Sequence, residues 1–248
     1  GPQNQTPRAM NRQDMDDVRD AFVVATKRAA LAGFDLLELH CAHGFLLHAF
    51  LSPLTNDRTD AYGGSFDNRI RLPLEIAHEV RAIWPQDKPL FVRISAVDGN
   101  REGWTIEDSV AFAKNLKTIG VDVVDCSSGG FGAFEYPNGY GFQVPFAAQI
   151  RREAGIETMA VGLIVDPLQA EAVIASGQAD LVALGREVLR NPHFPLHAQQ
   201  TLDATRPDAP YSNWNIQAGW WLDGRENRLR QLGPWTPTEE HATEICGA

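Results

Sequence analysis

Hydrophobic and polar positions at the start of the chain follow first a helical and then a strand-like spacing. Between residues 11 and 33, apolar Val18, Phe22 and Ala29 recur on one helical face, acidic residues occupy the first turn and a glycine closes the segment. The next apolar stretch, residues 34–40, is short and lacks that spacing. We therefore predict a helix over residues 11–33 and a strand over residues 34–40.

The same succession of strand and helix continues along the chain. Ser65, Thr105 and Asp166 are suited to cap the starts of three further helices, and Pro167 occupies a first helical position. The predicted strands cover residues 89–95, 121–127, 158–161 and 179–184, and the predicted helices cover residues 65–83, 105–120, 144–153, 166–177, 187–190 and 193–202. Regular alternation of this kind is typical of parallel strands joined by right-handed crossovers, so the predicted fold class is α/β.

The number of strand–helix units bears on the architecture. About five βα units fit between residues 34 and 202, whereas a (β/α)8 TIM barrel has eight units in about 250 residues. With 248 residues the chain is long enough for a barrel but has too few predicted strands. We predict a partial TIM barrel over residues 1–204, equivalent to strands 4–8, and a C-terminal extension over residues 205–248. The extension holds four of the six tryptophans and no clean periodicity.

Composition excludes several classes of partner. The formal net charge is −10 and no run of lysine or arginine occurs, which argues against a nucleic-acid partner. The chain has no stretch of about 20 apolar residues, so no membrane span is expected, and no signal peptide is recognised at its start. Cys41, Cys126 and Cys246 are odd in number and far apart, which disfavours a disulfide framework or a cysteine metal site. A cytoplasmic location is the expectation.

Polar and glycine residues collect where the predicted strands end. In a barrel these ends form one rim, and the active site lies there. The residues concerned are His40 and His43, Arg93, the Ser-Ser-Gly-Gly turn at 127–130, Gly162, and Gly185 with Arg186. We expect them to lie near one another.

The two histidines have three possible roles. Their imidazole N–H groups can donate to one substrate oxygen and stabilise negative charge that develops there, as in an oxyanion hole. His40 and His43 can instead belong to a zinc site, although no third ligand is evident, or they can be structural residues of a strand end.

Arg93, Gly162, Gly185 and Arg186 point to an anionic ligand. Arg93 can hold its cation against an anionic cofactor ring, or it can pair inside the barrel with Glu38 of the neighbouring strand. The glycines after consecutive strands, with Arg186, match the phosphate site that barrels build after strands seven and eight. The alternative for Gly162, Gly185 and Arg186 is that they form two tight turns and a surface arginine.

Longer motifs carry a resemblance to a known family. They are His-x-x-His-Gly-Phe-Leu at 40–46, Phe-Leu-Ser-Pro-Leu-Thr-Asn-x-Arg-Thr-Asp-x-Tyr-Gly-Gly-Ser-x-x-Asn-Arg at 50–69, Phe-Val-Arg-Ile-Ser at 91–95, Asp-Cys-Ser-Ser-Gly at 125–129, Ala-Val-Gly at 160–162 and Ala-Leu-Gly-Arg at 183–186. In this order and spacing, over about residues 7–200, the chain resembles the Old Yellow Enzyme family of FMN-dependent ene-reductases, and its thermophilic-like subgroup most closely. Taken alone, the segment at 52–69 predicts a rigid lid or brace.

The resemblance implies a flavoprotein oxidoreductase. FMN would lie at the rim of an eight-stranded barrel, NADPH or NADH would reduce it, and hydride would pass to an activated alkene such as an enone, nitroalkene or maleimide. His40 and His43 would bind the carbonyl or nitro oxygen of the substrate. Arg93 would face the N1/O2 edge of the flavin, and Gly162, Gly185 and Arg186 would hold the ribityl phosphate.

The chain departs from the family pattern in two respects. Phe45 replaces the tyrosine that usually donates the proton, so water or another tyrosine would protonate the α-carbon. The family's first three strands precede the helix at residues 11–33, and they supply much of the flavin cradle. We expect a complementing chain, a second copy in a homo-oligomer or the C-terminal extension to provide them; otherwise the chain is expected to be a fragment of a longer enzyme with weak or no FMN affinity.

Two other functions stay open from the sequence alone. One is a non-catalytic half-barrel that needs a partner with the N-terminal strands. The other is a phosphate-binding barrel enzyme such as a sugar-phosphate isomerase, which would need a lysine or glutamate base at a strand end. The rim offers no such base as persuasive as the histidine pair.

Overall fold

Five parallel strands form one sheet in a computed structural model that describes residues 8–131, 139–202, 209–232, 234 and 236. Their order in the sheet is their order in the sequence, and every neighbouring pair is parallel. The strands are β1 (Leu37–Cys41), β2 (Leu90–Ser95), β3 (Val123–Ser127), β4 (Glu157–Ala160) and β5 (Leu181–Val182). The α/β fold class predicted from the alternation of elements is confirmed, although β5 is much shorter than the predicted strand at 179–184.

Helices connect the strands and follow them in the chain. They are α1 (Arg12–Leu31), α2 (Leu46–Leu51), α3 (Phe66–Arg69), α4 (Arg71–Ile83), α5 (Ile106–Ile119), α6 (Val144–Ala154), α7 (Pro167–Ala175), α8 (Arg186–Arg190), α9 (Phe194–Leu202) and α10 (Ile216–Leu232). The helix predicted over residues 65–83 is divided at Ile70, which ends α3 and begins α4. Two helices, α2 and α10, were not predicted.

Helix ends obey the capping rules that the sequence suggested. In α1, Asn11 and Asp14 form a reciprocal capping box, with bonds of 3.0 and 2.7 Å. In α5, Thr105 and Asp108 form the same arrangement, and Gly120 ends the helix in the left-handed conformation. Ser65 caps α3 through the backbone N–H of Asn68.

The two faces of the sheet have different surroundings. Alternate residues such as Leu39, Val92 and Val124 are buried among helices and form the hydrophobic core. Residues paired across strands share a face, so His40, Arg93 and Asp125, which are in register, lie on the opposite face. The register therefore places one imidazole, one guanidinium and one carboxyl side by side.

The chain consists of two compact units. One comprises Gly1–Val165 and Gln169–Leu189, and the other comprises Asp166–Leu168 and Arg190–Ala248. The predicted domain boundary at residues 204/205 lies outside the described residues, as do Trp235 and Cys246, so the boundary stays a prediction.

The second unit contains three of the tail tryptophans within its described part. Trp214 packs against His193, His197 and Tyr211, with ring centroids 4.9, 5.4 and 5.7 Å apart. Trp220 and Trp221 on α10 are exposed. Across the described residues of both units, we find no helix with the length and apolarity to cross a membrane.

The capping box of α5 provides a test of the fold. Thr105→Ala should lower the free energy of unfolding by about 1 kcal/mol, because the backbone N–H of Asp108 loses its side-chain acceptor. Thr118→Ala is the matched control, since Thr118 lies in the same helix and bonds only the Lys114 carbonyl at an exposed position. Urea unfolding of both variants measures the difference, and equal losses would contradict the role of the cap.

Candidate active site

The two predicted histidines lie together at the end of β1. His40 is in the strand and His43 in the turn that follows, and their ring centroids are 5.2 Å apart. Phe45 packs edge-on against His40, at 5.3 Å between centroids, and is itself exposed. The structure thus brings both imidazoles and the phenyl ring into one cluster.

The turn that carries His43 is held in an uncommon conformation. His43 has a φ of +59° and Gly44 a φ of +76°, so two consecutive residues are left-handed. The N–H of His43 donates to Ser95 Oγ at 3.0 Å, and the N–H of Gly44 donates to His48 Nδ1 at 2.9 Å. These two bonds offset the strain, which for a non-glycine residue is of the order of 1–3 kcal/mol.

Ser95 links this turn to the turn after β3. Its hydroxyl accepts from His43 and donates to the Gly129 carbonyl at 2.5 Å. The adjacent Gly130, with a φ of +137°, approaches Gly44 so closely that a Cβ atom there would lie 2.5 Å from the Gly44 nitrogen. Backbone therefore packs directly on backbone between the two strand ends.

A buried carboxylate holds α2 under the histidine turn. Asp98 Oδ1 lies 2.9 Å from His48 Nε2, and Asp98 Oδ2 accepts from Ser52 Oγ at 2.6 Å and from the Trp104 N–H at 2.7 Å. Because His48 Nδ1 accepts from Gly44, its proton is on Nε2 and faces the carboxylate.

Sequence reasoning missed this group entirely. Its signal was the spacing of His48 and Ser52, four residues apart in and just after an apolar run, followed by a polar Asp98 three residues after a buried strand. That spacing places both side chains on one face of a helix.

Burial keeps both predicted histidines neutral. It lowers the pKa of His43 to about 4, with smaller contributions from the Arg93 cation and from His40 and His48. Burial and Arg93 also lower the pKa of His40. Near pH 7 both side chains therefore offer uncharged N–H donors and lone-pair nitrogens.

Nowhere in the described ranges do three His, Cys, Asp or Glu side chains form a candidate metal site.

Arg93 has its ion-pair partner on β3 rather than on β1. Arg93 Nε lies 3.2 Å from Asp125 Oδ2, but it makes no hydrogen bond of good geometry within the described residues. Burial raises the pKa of Asp125 to about 7, while Arg93 opposes that shift and Glu38 adds to it. Arg93 and Glu38, which the sequence analysis considered as a pair, thus both act on Asp125. Arg93 retains donor capacity for an anionic ligand.

Gly162 and the Gly185–Arg186 pair follow β4 and β5, which are neighbours in the sheet. Gly162 has a φ of +112°, and a Cβ atom there would lie 2.7 Å from Gln143 Nε2, so packing against Gln143 accounts for this glycine. Gly185 has open space around it, and Arg186 is exposed. An oxyanion can approach the second turn freely, which fits a phosphate group.

The segment after α2 is tied down by hydrogen bonds, as a brace would be. Asn56 Nδ2 donates to the carbonyls of Phe50 and Tyr62 at 2.7 and 2.8 Å. Arg69 Nε donates to the Leu51 carbonyl at 2.8 Å. These bonds close the segment onto the end of α2, close to the histidine turn in the sequence.

Comparison with known proteins assigns the class of this fold and site. A histamine dehydrogenase from Rhizobium sp. 4-9 superimposes with a TM-score of 0.69 at 29% identity, over 78% of this chain and 29% of that protein. An old yellow enzyme homologue from Zymomonas mobilis gives a TM-score of 0.66 at 26% identity, over 81% and 55% of the two chains. The architecture is that of a TIM-barrel oxidoreductase, of which this chain covers a part.

The family follows from the sequence match. The model of the NADH:flavin oxidoreductase / NADH oxidase family matches residues 2–205, and the chain belongs to that family. An NADPH dehydrogenase of Geobacillus sp. (strain WCH70) is 50% identical over 200 residues, which are 81% of this chain and 58% of the relative. The chain thus spans less than two thirds of that relative's length. The resemblance to the Old Yellow Enzyme family is confirmed, and the family's cofactors are FMN and a nicotinamide hydride donor.

The alternative of a non-catalytic half-barrel finds no support in these comparisons. The relatives named above are enzymes.

The contact between Gly44 and Gly130 can be tested by substitution. Gly130→Ala should destabilise the chain by more than 2 kcal/mol, because a Cβ atom would displace the Gly44 backbone. Gly64→Ala is the matched control, since Gly64 also has a positive φ of +78° but open surroundings, and should cost about 1–2 kcal/mol. Similar losses in the two variants would show that the close approach is unimportant.

The elevated pKa of Asp125 predicts a pH-dependent stability. The folded chain holds this proton up to about pH 7, whereas the unfolded chain releases it near the ordinary value of 3.8. This contribution is therefore complete below pH 3.8 and is lost as the pH rises to about 7. Asp125→Asn is neutral throughout, so its stability relative to the unmodified chain should rise over that range. Denaturant unfolding at several pH values measures this, and a difference that falls or stays flat would refute it.

Proposed function

We propose that the chain carries the substrate-binding rim of an FMN-dependent, nicotinamide-dependent reductase that acts on activated C=C bonds. One observation carries the proposal: two neutral imidazoles lie 5.2 Å apart beside a guanidinium with an unused donor, all at neighbouring strand ends. FMN, when bound, would supply the hydride.

His40 and His43 are proposed to bind the carbonyl or nitro oxygen of the substrate. Both are neutral near pH 7, so each binds an oxygen through an uncharged N–H group. Negative charge on that oxygen is stabilised as it develops, while the imidazoles release no proton in doing so.

Arg93 is proposed to face the N1/O2 edge of the flavin. Its position in register with His40 places the cation next to the histidine site, and the ion pair with Asp125 holds it there. Gly162, Gly185 and Arg186 are proposed to bind the ribityl phosphate. The open surroundings of Gly185 and the exposure of Arg186 support that role for the second turn.

Phe45 leaves the proposed site without a side-chain proton donor at this position. Its ring packs on His40 and has no transferable proton, so we assign protonation of the substrate α-carbon to water. Loss of a positioned general acid costs roughly 10²–10⁴-fold in rate. Turnover of simple enones is therefore expected to be slow compared with that of maleimides, whose two carbonyls activate the alkene more strongly.

Cys41 and Cys126 are free and buried, in keeping with the proposed cytoplasmic location. A homo-oligomer stays a prediction.

The proposal is tested by cofactor and ligand binding to the purified chain. We expect FMN to bind, a phenol to perturb the flavin spectrum, and NADPH to be consumed with N-methylmaleimide. Changing both His40→Ala and His43→Ala should weaken phenol binding at least 10-fold, about the value of one or two hydrogen bonds, without releasing the flavin. Arg186→Ala should instead weaken flavin retention.

The matched control is His78→Ala, because His78 is an exposed histidine on α4. It should leave flavin retention and phenol affinity unchanged. A chain that binds no FMN, or a double variant that binds phenol as tightly as the unmodified chain, would overturn the proposal.

A further inference from the structure

A row of hydrogen-bonding groups runs from the histidine turn across the ends of β3 and β4. Ser127 Oγ lies 2.7 Å from His43 Nε2 and 3.3 Å from Gln143 Oε1. Ser128 Oγ donates to the same Gln143 oxygen, and Gln143 Nε2 donates to the Val161 carbonyl at 3.2 Å. Ser127 and Gln143 are both buried. Nothing in the proposed function explains why this row exists.

The orientation of the Gln143 amide is fixed at both ends. The Val161 atom that faces Gln143 is its carbonyl oxygen, an acceptor, so the amide nitrogen must face it and the amide oxygen must face the two serines. That oxygen already accepts the hydroxyl of Ser128. It therefore stays satisfied whichever way the Ser127 hydroxyl points.

The single proton of Ser127 thus has two acceptors at unequal distances. His43 Nε2 is 0.6 Å closer than Gln143 Oε1, from 2.7 against 3.3 Å, and the shorter distance is that of a strong O–H bond. Because His43 is neutral, Nε2 can accept. When Nε2 accepts, the ring proton must be on Nδ1.

Nδ1 is also the nitrogen left for a ligand. Among the described residues no side chain or backbone group bonds His43 Nδ1, whereas Nε2 is engaged by Ser127. A ring nitrogen can donate to a substrate oxygen only if it carries the proton, so the partner on the opposite nitrogen decides whether His43 donates or accepts.

We propose that Ser127 is a positioning residue that donates to His43 Nε2 and thereby keeps the proton on Nδ1, where His43 donates it as a hydrogen bond to the substrate oxygen. This inference rests on the proposed function of His43 as an oxygen-binding donor. The role of Gln143 is to take up the hydroxyl of Ser128, which leaves that of Ser127 for the imidazole.

The test is the tautomer of His43, read by ¹⁵N NMR on the flavin-free full chain labelled in histidine. The unmodified chain should show the Nδ1–H form of His43, with the resonance assigned by its loss in His43→Ala. Ser127→Ala should abolish that single form and give a mixture of both tautomers. Ser127→Thr, which keeps a hydroxyl at this position, should keep the Nδ1–H form.

Ser176→Ala is the control, because Ser176 is exposed and its hydroxyl bonds carbonyls of its own helix, Ala172 and Val173. It should leave the tautomer unchanged. An Nε2–H form in the unmodified chain would overturn the inference without any variant, as would an unchanged tautomer in folded Ser127→Ala.

A second measurement separates this inference from the proposed function. In the FMN-loaded chain, Ser127→Ala should weaken phenol binding about 3–10-fold, the value of one hydrogen bond, and Ser176→Ala should not. If the chain binds neither FMN nor phenol, the proposed function fails, yet the tautomer measurement still decides the role of Ser127. If phenol binds but its affinity is unaffected by Ser127→Ala, the positioning role is refuted.

Discussion

The parallel register of β1, β2 and β3 aligns His40, Arg93 and Asp125 in a single row on one face of the sheet. Side chains two residues further along β2 and β3, Ser95 and Ser127, form the next row and reach the His43 turn. A one-residue slip in any of these strands would turn its row into the hydrophobic core. The opposite face of these strands packs against helices and forms the hydrophobic core. A slip would bury the charged side chains of the row in that core, and the cost of this burial excludes the slip.

Charge in this row is balanced by neighbours rather than by solvent. Burial, with a smaller contribution from the Arg93 cation, lowers the pKa of both imidazoles and keeps them neutral, while burial raises the pKa of Asp125 to about 7. Burial thus favours the protonated form of Asp125, which compensates the charge of Arg93 less than a carboxylate does. An anionic ligand that approaches Arg93 is attracted by its cation, and this attraction is stronger where water is excluded.

Local sequence signals were sufficient for most of the fold but not for all of it. Ser65 and Thr105 mark helix starts through contacts three residues away, so the sequence could identify them. Two helices escaped prediction because their patterns were uninformative. In α2 nearly every side chain is buried, which leaves no polar face, and in α10 the large apolar residues Ile216, Trp220 and Trp221 are exposed, which leaves no apolar stripe facing a core.

The residues of the candidate site also differ in whether local sequence signals could identify them. His40, His43 and Arg93 could be found from their positions at strand ends, because parallel strands necessarily bring those ends together. Asp125 as the partner of Arg93, and the Asp98 carboxylate beneath the histidine turn, depend on register and on contacts between residues 32 and 50 positions apart in the chain. Such pairings are decided by packing in three dimensions: the spacing of His48 and Ser52 places them on one helix face but does not identify Asp98 as their partner.

The meeting of Gly44 with Gly130 has a consequence for motion. No side chain intervenes between the two turns, so the spacing of the histidine from the third strand is determined by atomic radii and not by a choice of rotamer. The backbone of the histidine turn can therefore come no closer to the turn after the third strand without a clash. The position of the His43 backbone is therefore as well defined as the strand ends that meet there.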